Sequence, residues 1–278
     1  MYSPPSDPAD EQRMRVQHER AARALNMTCT GGKPFWGWDG RTLGRAGTTA
    51  TGQRVWLRMT SAPTDKAHGK LWEGAETAQQ AFADLGGHRP ALLAIHDATS
   101  DGTAYRAELS DHLDQPVISG DPILRDHLEL PDGWWPALEG ALEKVAAATT
   151  NRVAVRQAYI DRAVPTFLGI PAPPVTHWST VHGDLHWANL TAPELRLLDW
   201  EAWGQGPWGY DQATLYAYSL LRLDVADRVR DTFPFLGTTQ TYAAEAVVCA
   251  ELLQTVSRGT NLDLAGPLHK WADQLRDR

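Results

Sequence analysis

The run Val181-His182-Gly183-Asp184-Leu185-His186-Trp187-Ala188-Asn189 sets a carboxylate and a side-chain amide five residues apart, and a second carboxylate, Asp199, follows in Leu197-Leu198-Asp199-Trp200-Glu201. Phosphoryl transfer from a nucleotide uses one carboxylate to orient the attacking hydroxyl and accept its proton. It also uses an amide oxygen and a carboxylate to hold the metal ions that bridge the phosphates. Asp184 suits the first task, and Asn189 with Asp199 suits the second. A short loop lets Asp184 and Asn189 face one pocket, and a hairpin returns Asp199 to it. Any one Asp or Asn could simply close its own backbone turn, but that reading does not account for three at this spacing. A rival takes His182-x-Asp184-x-His186 as ligands of a hydrolytic zinc site. It explains neither Asn189 nor Asp199, and no Cys or further His cluster completes a coordination sphere.

His182-Gly183-Asp184-Leu185-His186 with Asn189, then Asp199-Trp200-Glu201, resembles the signature of the aminoglycoside phosphotransferase and choline-kinase branch of protein-kinase-like enzymes. Gly183 stands where protein kinases usually carry Arg, which points to the small-molecule branch. Trp187-Ala188 replaces the Pro-Gly often found inside this loop. The resemblance implies ATP or GTP as cofactor, Mg²⁺ held by Asn189 and Asp199, and Asp184 as catalytic base. His182 is expected to bond backbone near Asp199 and set the loop. His186 is expected either to contact phosphate or substrate or to pack the loop, and Asp211 to anchor the loop or a helix start.

The family also places a cation on the third strand against the α and β phosphates, paired with a Glu on the following helix. Val55-Trp56-Leu57-Arg58 aligns with V-A-I-K, so Arg58 takes the Lys position. Its partner is Glu73 or Glu76, and Glu73 is preferred because it lies nearer the helix start. Lys66 and Lys70 are alternative cations. Trp56 stands where a small residue normally lies over the adenine. The segment for a phosphate-covering loop, Gly37-Trp38-Asp39-Gly40-Arg41 with Gly44 and Gly47 beyond, does not match G-x-G-x-x-G and reads as a plain hairpin turn.

The elements that must position these groups follow from periodicity. Residues 7–25 pattern as a helix. Val55-Trp56-Leu57-Arg58-Met59 alternates as a strand, with Trp56 and Arg58 on one face and Val55, Leu57 and Met59 on the other. A helix over Leu71 to Leu85 and strands over Ala91 to His96 and Tyr105 to Leu109 complete a small sheet-plus-helix lobe. Beyond a boundary near Ser110 to Pro116, Leu138, Ala141, Leu142, Val145 and Ala148 form one helical stripe, with Pro136 near its first turn. Tyr210 to Leu223 and Tyr242 to Val256 are apolar on most sides and read as core helices, the second ending at Arg258 and Gly259. The expected fold is α+β: a bilobal protein-kinase-like fold with a small N-terminal nucleotide-binding lobe, residues 1–112, and a larger, mainly helical catalytic and acceptor-binding lobe, residues 113–278. The chemistry is expected at the cleft between them.

Composition bounds the rest. A net charge of −8 argues against phosphate-backbone binding, so no nucleic-acid partner is expected. No apolar run reaches the length of a membrane span, and Met1-Tyr2-Ser3-Pro4-Pro5 lacks a signal-peptide pattern. Cys29 and Cys249 read as reduced thiols, and the chain as cytoplasmic. Of 12 Trp residues, Trp178, Trp187, Trp200, Trp203 and Trp208 flank the motif. They either fill the core or wall an acceptor pocket, and Trp187, inside the loop, is the strongest wall candidate. The function expected is metal-dependent transfer of the γ-phosphate of ATP or GTP to a hydroxyl of a small molecule, antibiotics among them. The alternatives are a Ser/Thr kinase of a natural-product precursor peptide and a catalytically silent kinase-fold scaffold.

Overall fold

The computed structural model describes residues 3–37 and 39–278. The chain divides into two compact units, Met1–Gln79 with Pro90–Asp114, and Gln80–Arg89 with Gln115–Arg278. Residues 80–89, read from sequence as part of the first unit, group with the second.

In the first unit, helix α1 (Pro8–Ala24) starts where Asp7 accepts a hydrogen bond from the Ala9 amide at 2.8 Å and Pro8 supplies a preset φ. The sheet runs antiparallel in the order β1 (Met27–Cys29), β3 (Thr42–Thr49), β4 (Arg54–Pro63), β6 (Thr103–Asp111), β5 (Leu92–Ser100), with β2 (Phe35–Trp36) also on β3. Four strands therefore precede helix α2 (Lys70–Ala81), and Thr30 to Pro34, with two glycines and a proline, separates β1 from β2. Strand β4 alternates as its sequence demands. Val55, Leu57 and Met59 are buried with Met14, Ala21 and Ala22 of α1 and with Tyr105, Ala107 and Leu109 of β6. His18 of α1 reaches the Leu57 carbonyl at 3.2 Å, and burial pushes its pKa down, so it packs as a neutral imidazole.

The turn between β2 and β3 holds the phosphate-loop candidate, of which Trp38 lies outside the described residues. Asp39 and Gly40 both have positive φ, at 55° and 67°, and the Gly40 amide meets the Gly37 carbonyl at 3.2 Å. Paired left-handed residues of this kind make a tight hairpin turn.

The second unit is built around helix α7 (Tyr242–Ser257), in which every residue from Ala244 to Ala250 is buried. It is flanked by α4 (Gln157–Leu168), α5 (Tyr210–Tyr218) and α8 (Ala265–Arg276). The helix expected to run from Tyr210 to Leu223 stops at Tyr218. There Ser219 bonds back to the Leu215 carbonyl at 2.7 Å, and the chain turns before α6 (Leu223–Thr232). Helix α3 (Trp134–Ala147) buries Leu138, Ala141, Leu142 and Val145 of the expected stripe, while Ala148 caps its end and is half-buried. Strands β7 (Trp178–Val181) and β8 (Gly204–Pro207) pair antiparallel beside it. No helix among the described residues is long and apolar enough to cross a membrane.

Candidate active site

The motif is an excursion between two paired strands. Val181 at the end of β7 is opposite Gly204 at the start of β8, so residues 182–203 leave and return at one point. Inside it, Leu190 bridges Leu197, and the Leu198 amide donates to the Asn189 carbonyl at 2.9 Å. Asp199 is thereby set one residue beyond a backbone bond to Asn189.

Asp211, in the first turn of α5, anchors the loop's entry. Its two carboxylate oxygens accept from the amides of His182 and Gly183 at 2.7 and 2.9 Å. Burial of this carboxylate outweighs those bonds and the nearby His182, leaving its pKa above the ordinary range. Gly183 has φ 84°, and a Cβ there would stand 2.7 Å from the Ala202 carbonyl oxygen. Glycine is required by both conformation and space.

Asp184 is half-exposed at the head of the loop, between buried His182 and Leu185. Asn189 Nδ2 donates to its backbone carbonyl at 2.9 Å and to Oδ2 at 3.3 Å. His186 Nε2 stands 3.5 Å from the same Oδ2. Loss of surrounding water would raise the Asp184 pKa, but His186, His182 and the Asn189 amide more than offset it, and the carboxyl sits below the ordinary range. It is therefore ionised near neutrality, ready to accept a hydrogen bond from a hydroxyl. His186 itself is 5% exposed, with Nε2 also 3.3 Å from Asn189 Nδ2 and its ring against Tyr218. That placement favours loop packing over contact with phosphate.

Asp199 is exposed and holds a left-handed backbone, φ 59°, which costs a non-glycine residue free energy unless its surroundings impose it. The surroundings do. The Leu198 carbonyl accepts from His182 Nε2 at 2.8 Å, and the Trp200 indole donates to the Leu197 carbonyl at 2.9 Å. Trp200 packs against His182 and Phe82. With Leu198 tied through its backbone and Trp200 buried, Asp199 is left at the surface.

The donor set fits a hard divalent cation. With Nδ2 of Asn189 committed to Asp184, its Oδ1 is left to act as a ligand beside the Asp199 carboxylate. These are oxygen donors of the type Mg²⁺ takes alongside phosphate oxygens and water. No group of three or more His, Cys, Asp or Glu among the described residues could enclose an ion alone. The zinc reading also fails on His182, whose Nε2 faces the Leu198 carbonyl and whose Nδ1 accepts from the Asp184 amide at 3.4 Å.

In the first unit, Arg58 points to the less buried face of β4, as read from the alternation. The ion pair expected with Glu73 or Glu76 is not made. Arg58 lies 3.6 Å from Glu108, its register partner on β6. Glu73 accepts from the Gly69 amide at the start of its own helix, at 3.3 Å, and Glu76 pairs with Arg106 at 3.0 Å. A cross-strand partner is shorter in reach than a helix above the sheet, and the sequence offers no sign of which strand lies next to β4.

The tryptophans around the motif are mostly core. Trp187 is wholly buried, donates to Ser219 Oγ at 3.0 Å and stacks on Trp134. It pins the loop where Pro-Gly is often found, and it walls no pocket. Trp200 and Trp203 are buried as well. One residue that sequence reasoning missed is Arg152, which donates to the carbonyls of Glu201 and Trp203, each at 3.2 Å, with its guanidinium over the Trp203 ring. A lone Arg in a loop gives no signal of that role. A second is Tyr210, whose hydroxyl donates to Glu251 at 2.7 Å. Burial, Glu251 and Asp184 hold its pKa well above normal.

No protein-family model and no curated protein matches the sequence. Among solved structures, amicoumacin kinase hAmiN, in complex with AMP-PNP, Ca²⁺ and Ami, superposes with a TM-score of 0.59 at 11% identity, over 95% of this chain and 93% of that one. The fold is protein-kinase-like. Macrolide 2'-phosphotransferase MphH from Brachybacterium faecium gives a TM-score of 0.55 at 14% identity, over 94% of this chain and 97% of that one. A choline/ethanolamine kinase family protein from Mesorhizobium loti gives 0.51 at 13% identity, over 94% and 95%. The expected fold is therefore present across nearly the whole chain.

Proposed function

We propose that the chain transfers the γ-phosphoryl group of ATP or GTP to a hydroxyl of a small molecule, with Asp184 as the base. The observation that carries this reading is the single hydrogen-bonded unit of Asp184, Asn189 and the backbone beside Asp199. Asp184 would orient the acceptor hydroxyl and take its proton as the new O–P bond forms and the bond from γ-phosphorus to the departing nucleoside diphosphate breaks. Asn189 holds that carboxylate through Nδ2 and would present Oδ1, with Asp199, to Mg²⁺. Bound there, the ion would offset charge on the phosphate oxygens. Arg58 is proposed as the cation against the α and β phosphates.

An antibiotic acceptor is the favoured class, since hAmiN and MphH, of the same fold, are a kinase of amicoumacin and a phosphotransferase of macrolides. The test is incubation with ATP, Mg²⁺ and a panel of hydroxyl-bearing antibiotics, read by mass spectrometry for addition of one phosphoryl group. An Asp184→Asn control should give none. Failure across antibiotics, sugars, nucleosides and hydroxyl-bearing peptides, with no nucleotide bound, would overturn the reading.

A further inference from the structure

Asp199 keeps its left-handed backbone at an exposed position, and the ties to His182 and the Trp200 indole reach only the carbonyls before it. After it the chain turns through Trp200 and Glu201 and enters no strand until Gly204. A single side chain from another segment meets two carbonyls of that turn. Arg152 donates from Nη2 to Glu201 and from Nε to Trp203, each at 3.2 Å. Its guanidinium lies 4.7 Å from the centre of the Trp203 ring. A planar guanidinium presents its donors in a fixed fork, so one side chain can hold two carbonyls at once.

Arg152 is itself held by its backbone. Its amide donates to Thr150 Oγ1 at 3.0 Å, and its carbonyl accepts from the Gln205 amide at 2.8 Å. The Ala154 and Val155 amides then donate to the Gln205 carbonyl at 2.9 and 3.0 Å. Gly204 lets the two segments lie this close, since a Cβ there would stand 2.7 Å from the Ala154 nitrogen. None of these backbone bonds needs the guanidinium. The fork therefore acts on the turn beside Asp199 and not on the pairing of β8.

Resting on the phosphotransferase reading for the metal itself, we propose that Arg152 is a positioning residue for Asp199. A left-handed non-glycine residue persists where its surroundings over-determine it. His182 and Trp200 hold one side of Asp199, and Arg152 holds the other. Released on that side, Asp199 can relax to an ordinary backbone and leave the metal position beside Asn189. Binding of Mg²⁺ would then have to restore the turn, and its affinity falls.

The test is calorimetric titration of ATP into the full chain over a series of Mg²⁺ concentrations and in EDTA. Amide hydrogen exchange of the protein without metal or nucleotide is measured alongside. Arg152→Ala should raise the Mg²⁺ concentration that half-saturates ATP binding by about tenfold or more, the usual effect of removing a group that orients a metal ligand. Affinity in EDTA should not move, and exchange should quicken across residues 197–203 but not in α4 or α7. Arg152→Lys keeps the charge but meets one carbonyl at a time, so it should fall between the two. It also carries the test if the Ala variant does not fold. The proposal is overturned if the folded variants need no more Mg²⁺ than wild type. It is overturned equally if affinity in EDTA falls in parallel or exchange quickens throughout, the marks of a merely structural role. Where Mg²⁺ strengthens ATP binding in wild type and the variants alike, the role of Arg152 alone falls. Wild type that gains nothing from Mg²⁺ removes the metal site and that role together, and wild type that binds no ATP removes the phosphotransferase reading.

Discussion

His182 Nε2 lies 2.8 Å from the carbonyl of Leu198, which joins the segment that carries Asp184 to the one that carries Asp199. The carbonyl can only accept, so Nε2 carries the proton. Nδ1 accepts from the Asp184 amide at 3.4 Å, so one ring ties both segments. His182→Ala removes the tie without touching either carboxylate. Turnover should fall by about 10²-fold, the effect of misplacing reacting groups by an ångström or so, with a smaller change in nucleotide affinity. Steady-state kinetics with a verified acceptor decides it, and unchanged turnover would show that the tie does not position the site.

The geometry of the loop was legible because its residues are local in sequence. Asp184, Asn189 and Asp199 fall within one strand-to-strand excursion, and His182 bonds the backbone beside Asp199 as the motif suggested. The alternation of β4 likewise put Val55, Leu57 and Met59 in the core and Arg58 on the other face. What was not legible depends on non-local pairing. Nothing in the sequence says that β6 is the neighbour of β4, so Glu108 was missed as the partner of Arg58. Trp187 was misjudged for the related reason that its partners, Trp134 and Ser219, are remote in the chain.

Asp184→Asn keeps the shape of the side chain and an oxygen for Asn189 Nδ2, and removes only the charge and basicity. Nucleotide binding should be nearly unchanged while turnover falls by at least about 10²-fold, the scale of a general base. Near-wild-type turnover would remove Asp184 from the chemistry.

Asp199→Ala should weaken Mg²⁺-dependent nucleotide binding more than Asn189→Ala does, because a carboxylate offsets a cation's charge and an amide contributes only a dipole. Asn189→Ala should instead show its larger loss in turnover, since it also releases Asp184. Titration with and without Mg²⁺ separates the two. Metal-dependent affinity that survives in Asp199→Ala would place the ion elsewhere.

A buried thiol and a half-buried phenol contribute to the fold's sensitivity to alkali. Burial raises the Cys249 thiol from 9.0 to about 12, and burial with Glu251 nearby raises the Tyr159 hydroxyl from 10.0 to about 12. The folded chain holds both protons more tightly than the unfolded chain does. Their contribution is therefore complete below pH 9 and lost as pH rises toward about 12. The melting temperature should fall across that window, and a Cys249→Ala, Tyr159→Phe double variant should lessen the fall. At pH 8 a thiol reagent should modify half-buried Cys29 in the native state and Cys249 only after unfolding. Equal labelling rates would contradict the burial of Cys249.

Arg58 gives the sharpest test of the nucleotide side, because here the chain departs from the pattern it resembles. If Arg58 meets phosphate, Arg58→Ala should weaken ATP binding far more than adenosine binding, since only ATP carries the charge being neutralised. Arg58→Lys should recover part of the loss, a point charge being a poor substitute for a bidentate guanidinium. The structure also assigns its protein partner, which a pair of double-mutant cycles on stability can check. Arg58 with Glu108 should couple by about 0.2–1 kcal/mol, as cross-strand ion pairs do. Arg58 with Glu73 should couple by nothing measurable, because Glu73 is spent on the Gly69 amide. Coupling to Glu73 and none to Glu108 would mean that the helix supplies the partner after all. Equal, small effects of Arg58→Ala on ATP and adenosine would leave Lys66 or Lys70 to supply the cation.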